Sequence, residues 1–224
     1  MASFRLNIAR IRGCPGPGEL IEAMEGFGLP ESEEFGVLNC SASGPSAFAT
    51  LIRKTEQAVQ RLDAEAREVT TAAIEKVTVY PFGVRPGSEV LEIYAGSAVG
   101  IEQVGLFLAS CLALPVVVDP IEIDIASAID KLSERTEKFQ LRSIRVTEYA
   151  HNSFMSGPYA PKFLDSEHGR DFMAEYVDYI STASVRFMAP TGRVTVSLTS
   201  KACFTFSCSD EDQPFVHSIL RKLA

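Results

Sequence analysis

The chain has 224 residues, 46% of them hydrophobic, so it can bury a core without disulfide or metal staples. Its formal charge of −8 opposes a general attraction to polyanions and leaves room only for a local basic surface. An odd set of five cysteines at irregular spacing, Cys14, Cys40, Cys111, Cys203 and Cys208, fits free thiols in a reducing compartment better than a disulfide framework.

The opening segment alternates apolar and polar residues, which predicts a strand with Phe4, Leu6 and Ile8 toward a core and Arg5 and Asn7 on the other side. That alternation is unlike a signal peptide, and a cytoplasmic location is expected. A break at 13–18 precedes a short helix carrying Leu20, Ile21, Met24 and Phe27, which Gly28 and Pro30 should end. A strand is expected at 35–40. Over 46–75 apolar residues recur at alternating three- and four-residue steps, from Ile52 through Val59 and Leu62 to Val69, and predict a long polar helix laid on a sheet.

A hairpin follows, 76–84 and 89–95 about a turn at Arg85-Pro86-Gly87. Ser97 should cap an apolar helix ending near Leu114. The apolar run 104–118 is too short for a bilayer and is broken by Pro115, so no membrane span is expected. A strand (115–124), an amphipathic helix (125–138) and a strand (139–149) come next. A loop at 150–169 then leads to a helix (170–180), three strands (184–189, 193–199, 202–208) and a terminal helix (211–223).

The order predicts an α+β fold: antiparallel sheet with helices on one face, in two similar αββα-type halves at 1–120 and 121–224, or as one continuous domain. The open face should carry Arg5, Asn7, Arg186, Thr195, Ser197, Thr199, Thr205 and Ser207. More broadly, Arg5, Arg10, Arg12, Arg142, Arg145, Arg186, Arg193 and Lys201 fall on or beside strands, while most carboxylates fall on helices and loops.

Catalytic signals are weak. Gly13, Gly16 and Gly18 lie between strand and helix, but in the wrong spacing for a dinucleotide turn, and Pro15 and Pro17 remove donors that a pyrophosphate would use. Asp119, Glu122 and Asp124 form a small acidic cluster, with Asp124 equally suited to cap the next helix. His151, His168 and His217 stand in no zinc spacing, and Cys203 and Cys208 should point to opposite faces of a strand. No nucleophile elbow is present, and a Cys/His pair such as Cys40 with His151 rests on residue type alone. The sequence calls for no cofactor, no catalytic residue and no metal. The loop 150–169 is unusual for carrying Phe154, Met155, Tyr159 and Phe163 among prolines and glycines. It reads either as a partner anchor or as a satellite core.

The arginine-bearing first strand, the Leu20–Phe27 helix, a strand before a long charged helix, the hairpin 77–95 and the helix 97–114 before Leu114-Pro115-Val116-Val117-Val118 resemble, in order, the bacterial recombination-associated RdgC family. More loosely they resemble TBP-like sheets. The resemblance implies non-catalytic DNA binding, often by oligomers around a duplex. Three readings follow: a DNA-binding or nucleoid-associated protein contacting phosphates of double-stranded DNA through the strand-borne arginines; an interaction subunit of a defence or repair complex, docking itself or another protein through the aromatic loop; and an enzyme of unrecognised type.

Overall fold

The computed structural model describes residues 2–27, 34–63, 67–94, 99–152 and 154–224. Its elements in chain order are β1 (Ala2–Arg12), α1 (Pro17–Glu25), β2 (Phe35–Ser43), β3 (Ser46–Asp63), β4 (Glu68–Arg85), β5 (Val90–Ile93), α2 (Val99–Leu112) and β6 (Val117–Pro120). Then come α3 (Ile125–Arg135), β7 (Glu137–Asn152), β8 (Met155–Tyr159), α4 (Ser166–Glu175), β9 (Ile180–Met188), β10 (Arg193–Thr199), β11 (Cys203–Cys208) and α5 (Gln213–Leu220). The fold is α+β with antiparallel sheet. The chain divides into two compact units, Met1–Arg10 with Asp119–Ala224, and Ile11–Val118.

In the first unit the strands run antiparallel in the order β1-β11-β10-β9-β7-β8. Strict alternation on β9, β10 and β11 sends one set of side chains inward: Ala183, Val185 and Phe187, then Val194, Val196 and Leu198, then Phe204, Phe206 and Cys208. Leu6 and Ile8 of β1 and Leu141, Ile144 and Val146 of β7 complete that buried layer. It is covered by Ile125, Ala128, Ile129 and Leu132 of α3, Met173 of α4, and Val216, Ile219 and Leu220 of α5. Asp124 starts α3 by accepting a hydrogen bond from the Ala126 N–H at 3.0 Å. Asp165 does the same for α4 with the His168 N–H.

In the second unit β2, β3, β4 and β5 form an antiparallel meander. Leu20 and Met24 of α1 and Val104, Phe107 and Leu108 of α2 are buried there, and Phe27 meets Phe107 edge-on at 5.5 Å. Pro17 opens α1 at its first helical positions, where a missing N–H costs nothing. Gly13 has φ +84, and a Cβ there would lie 2.5 Å from the Pro115 carbonyl oxygen. The break at 13–18 is thus an ordinary turn that needs glycine for close backbone approach.

The described residues of the segment 46–75 form no helix. β3 and β4 pair residue for residue from Ala47↔Val84 to Asp63↔Glu68, making a long two-stranded ribbon. The three/four spacing that suggested a helix is distributed over both ribbon faces: Ile52 and Leu62 on one, Thr55 and Val59 on the other. What wins is the density of β-branched residues on β4, with Ile52 opposite Val79 and the apolar pairs Val59↔Ala72 and Leu62↔Val69 beside it, together with β2 and β5 flanking the ribbon's base. The long charged helix that carried part of the RdgC resemblance is therefore strand.

The loop 150–169 is also mostly regular. β7 extends to Asn152, β8 returns antiparallel to it, and α4 begins at Ser166. The strand foreseen at 115–124 is confined to β6, so Glu122 and Asp124 share no strand face. Ser97 and the His151 side chain, singled out above, lie outside the described residues, as do Gly28 and Pro30.

Candidate nucleic-acid interface

The outward face of the first unit's sheet follows directly from the register. One cross-strand row runs Ser3, Ser207, Thr195, Arg186, Gln140; the next runs Arg5, Thr205, Ser197, Ser184, Ser143. Beside them Asn7 pairs with Cys203, and Thr199 with Thr182 and then Arg145. Arg193 sits opposite Met188 on the same face. Every position in the two complete rows is a hydroxyl, an amide or a guanidinium. Glu137, opposite Met188, is the carboxylate at the end of the face. Five strands spaced about 4.8 Å apart make a platform about 19 Å across.

Most of the platform's side chains are half-exposed, as on a sheet face open to solvent, and Arg5, Arg145, Arg193 and Gln140 are exposed. Asn7 is the exception, buried with neither amide atom hydrogen-bonded among the described residues. The Arg186 Nε also lacks an acceptor among the described residues. Burial pushes the Cys203 thiol up, while the neighbouring Arg5 charge pulls it the other way. The Cys203 N–H reaches the Thr199 hydroxyl at 3.4 Å.

Of the eight basic residues singled out from the sequence, the platform gathers Arg5, Arg145, Arg186 and Arg193. Arg10 lies on the opposite strand parity, in step with Leu6 and Ile8, and Arg12 falls in the second unit. Arg142 occupies the bulge where the β7–β9 register slips between Leu141 and Ser143, and its carbonyl accepts the Phe163 N–H at 2.8 Å. Lys201 is exposed in the turn joining β10 to β11. Gln140 and Ser143 lie in the strand expected at 139–149 but were missed because the β7 register slip between Leu141 and Ser143 puts residues three apart on one face, which simple alternation does not give; Thr182 lies before the expected start of β9, and Ser184 stands at that start.

The four residues of the aromatic segment separate into two pairs. Tyr159 packs at a tilt against Tyr149 at 4.5 Å, and Phe163 meets Phe172 at 5.7 Å, in a cluster that Tyr176 extends. Phe154 and Met155 project at the tip of the β7–β8 hairpin, 94% and 59% exposed. In the acidic cluster, Asp124 serves as the α3 cap, and Glu122 is exposed. Among the described residues no three His, Cys, Asp or Glu side chains converge as metal ligands, and no helix is long and apolar enough to cross a membrane.

No protein-family model matches the chain, and no curated protein matches it.

Proposed function

We propose that this is a non-catalytic, cytoplasmic DNA-binding protein that lays double-stranded DNA against the hydroxyl-and-arginine face of β1, β11, β10, β9 and β7. The observation that carries this reading is the composition of the two complete rows, which bring guanidiniums and Ser/Thr hydroxyls together without a carboxylate. Arginines and hydroxyls are the side chains that contact phosphate oxygens, and such contacts position a duplex without reading bases. The net charge of −8 keeps the rest of the surface from competing for the polyanion, which confines binding to the platform. Binding should therefore be insensitive to sequence.

Fluorescence anisotropy with two duplexes of unrelated sequence tests this. Changing Arg186 and Arg193 together to Glu should weaken both by about the same factor, roughly 10–100-fold at low salt. Circular dichroism should show the fold retained. A loss confined to one duplex, or none, contradicts the reading.

A second reading, an interaction subunit of a larger complex, is favoured by Met155 and by Leu164, which is fully exposed. Changing both to Ser should then abolish co-purification with the native partner and leave the melting temperature unchanged. Retention of the partner would exclude it.

A further inference from the structure

The part of the β3–β4 ribbon beyond the base is a sheet with only two strands. β5 pairs with β4 only over Phe82–Arg85, so among the described residues no strand lies against the outer edge of β4 from Glu68 to Tyr80. A two-stranded ribbon is marginal in water by itself, and this one exposes Leu62 (72%), Val69 (62%) and Val77 (51%). The two edges differ. β3 carries Arg53, Lys54, Glu56 and Arg61 along its length, the charges that keep an edge from recruiting another strand. β4 has the uncharged run Val69-Thr70-Thr71-Ala72-Ala73-Ile74, free of Gly and Pro and rich in β-branched residues. Only its two flanks are charged, Arg67-Glu68 before the run and Glu75-Lys76 after it.

We propose that β4 pairs antiparallel with β4 of a second copy of this chain, centred on Ala72, joining two ribbons into a four-stranded sheet. A symmetric pairing puts each residue opposite the one equally far from the centre on the other copy, and the pleat requires that opposed residues share a face. Centred on Ala72, Thr71 meets Ala73, Thr70 meets Ile74, and Glu68 meets Lys76, twice by symmetry. Val69 meets Glu75, opposite charges close both ends of the pairing, and no like charges stand directly opposed. Centred one residue pair further on, at Ala73, Lys76 would meet Thr70 and Glu68 would meet Thr78, and the complementarity is lost. Pairing over Glu68–Lys76 gives about one hydrogen bond per residue, satisfying backbone groups that otherwise face water. The pairing is independent of nucleic acid.

Sedimentation equilibrium of the DNA-free full chain tests it. The wild type should be a dimer whose dissociation constant rises about tenfold or more in Glu68→Lys, which sets two pairs of lysines face to face, and the double exchange Glu68→Lys with Lys76→Glu should restore it. Both variants lie on the exposed ribbon and should keep the wild-type circular dichroism. A wild type that stays monomeric at every concentration overturns the proposal. So does a dimer indifferent to Glu68→Lys, or one that the double exchange fails to rescue.

Discussion

Glu92 shows how single residues hold each unit. It is 2% exposed, paired with Arg85, and accepts a hydrogen bond from the Tyr94 hydroxyl at 2.7 Å. Removing one partner of a buried ion pair strands the other charge in a poor solvent. Arg85→Ala should therefore cost about 3 kcal/mol in a denaturant melt. Arg53→Ala, which breaks the solvated pair with Glu34, should cost less than about 1 kcal/mol. Equal losses would refute the distinction between the two. In the first unit, burial works to raise the Asp212 carboxyl, but donors from Thr191 and Ser209 outweigh it and hold it below its ordinary value. Its contribution is present above the unfolded carboxylate range and is lost as pH falls through the lower folded value. The thiols move the other way. Burial pushes Cys14 up to about 11 and Cys111, which also feels Cys40, up to about 12. Both stay protonated at neutral pH, so iodoacetamide should alkylate them far more slowly than the same residues in the unfolded chain. Rates equal to those of the unfolded chain would contradict their burial.

At the scale of elements, the clearest lesson is the ribbon. Periodicity alone could not separate a heptad-like stripe from a strand pair: a helix puts residues three and four apart on one face, whereas a strand keeps those four apart together and sends those three apart to the other face, so the same steps also fit a ribbon apolar on both faces. The deciding facts are nonlocal: which residue of β4 stands opposite each residue of β3, and which strands flank their base. By contrast β9, β10 and β11 were legible, since strict alternation leaves one register that buries Val, Leu and Phe and turns Ser, Thr and Arg outward. The open face read from the sequence therefore coincides with the platform at seven positions: Arg5, Arg186, Thr195, Ser197, Thr199, Thr205 and Ser207. Its eighth residue, Asn7, lies in the same register but is buried. The aromatic hairpin was half legible. Ring count in the segment 150–169 predicted either an anchor or a satellite core, and the structure divides the segment: Tyr159 and Phe163 join an aromatic cluster at the base, while Phe154 and Met155 are exposed at the tip. Phe163→Ser should thus destabilise the fold by about 1–3 kcal/mol by opening the cluster with Phe172. Phe154→Ser at the tip should leave the melting temperature within error of wild type. A melting temperature lowered as much by Phe154→Ser as by Phe163→Ser would show that the tip belongs to the core.

For the whole molecule, the central claim is that a protein of charge −8 binds a polyanion through one face that gathers four arginines. Salt dependence measures this most directly, because each phosphate neutralised releases condensed counterions and adds to the slope of log affinity against log salt. Four guanidiniums on phosphates predict a slope of about −3 to −4 for the wild type. Replacing Arg186 and Arg193 with Ala should flatten it by nearly two. A wild-type slope near zero, or one that those two substitutions leave unchanged, would contradict the assignment of the sheet face as the DNA interface.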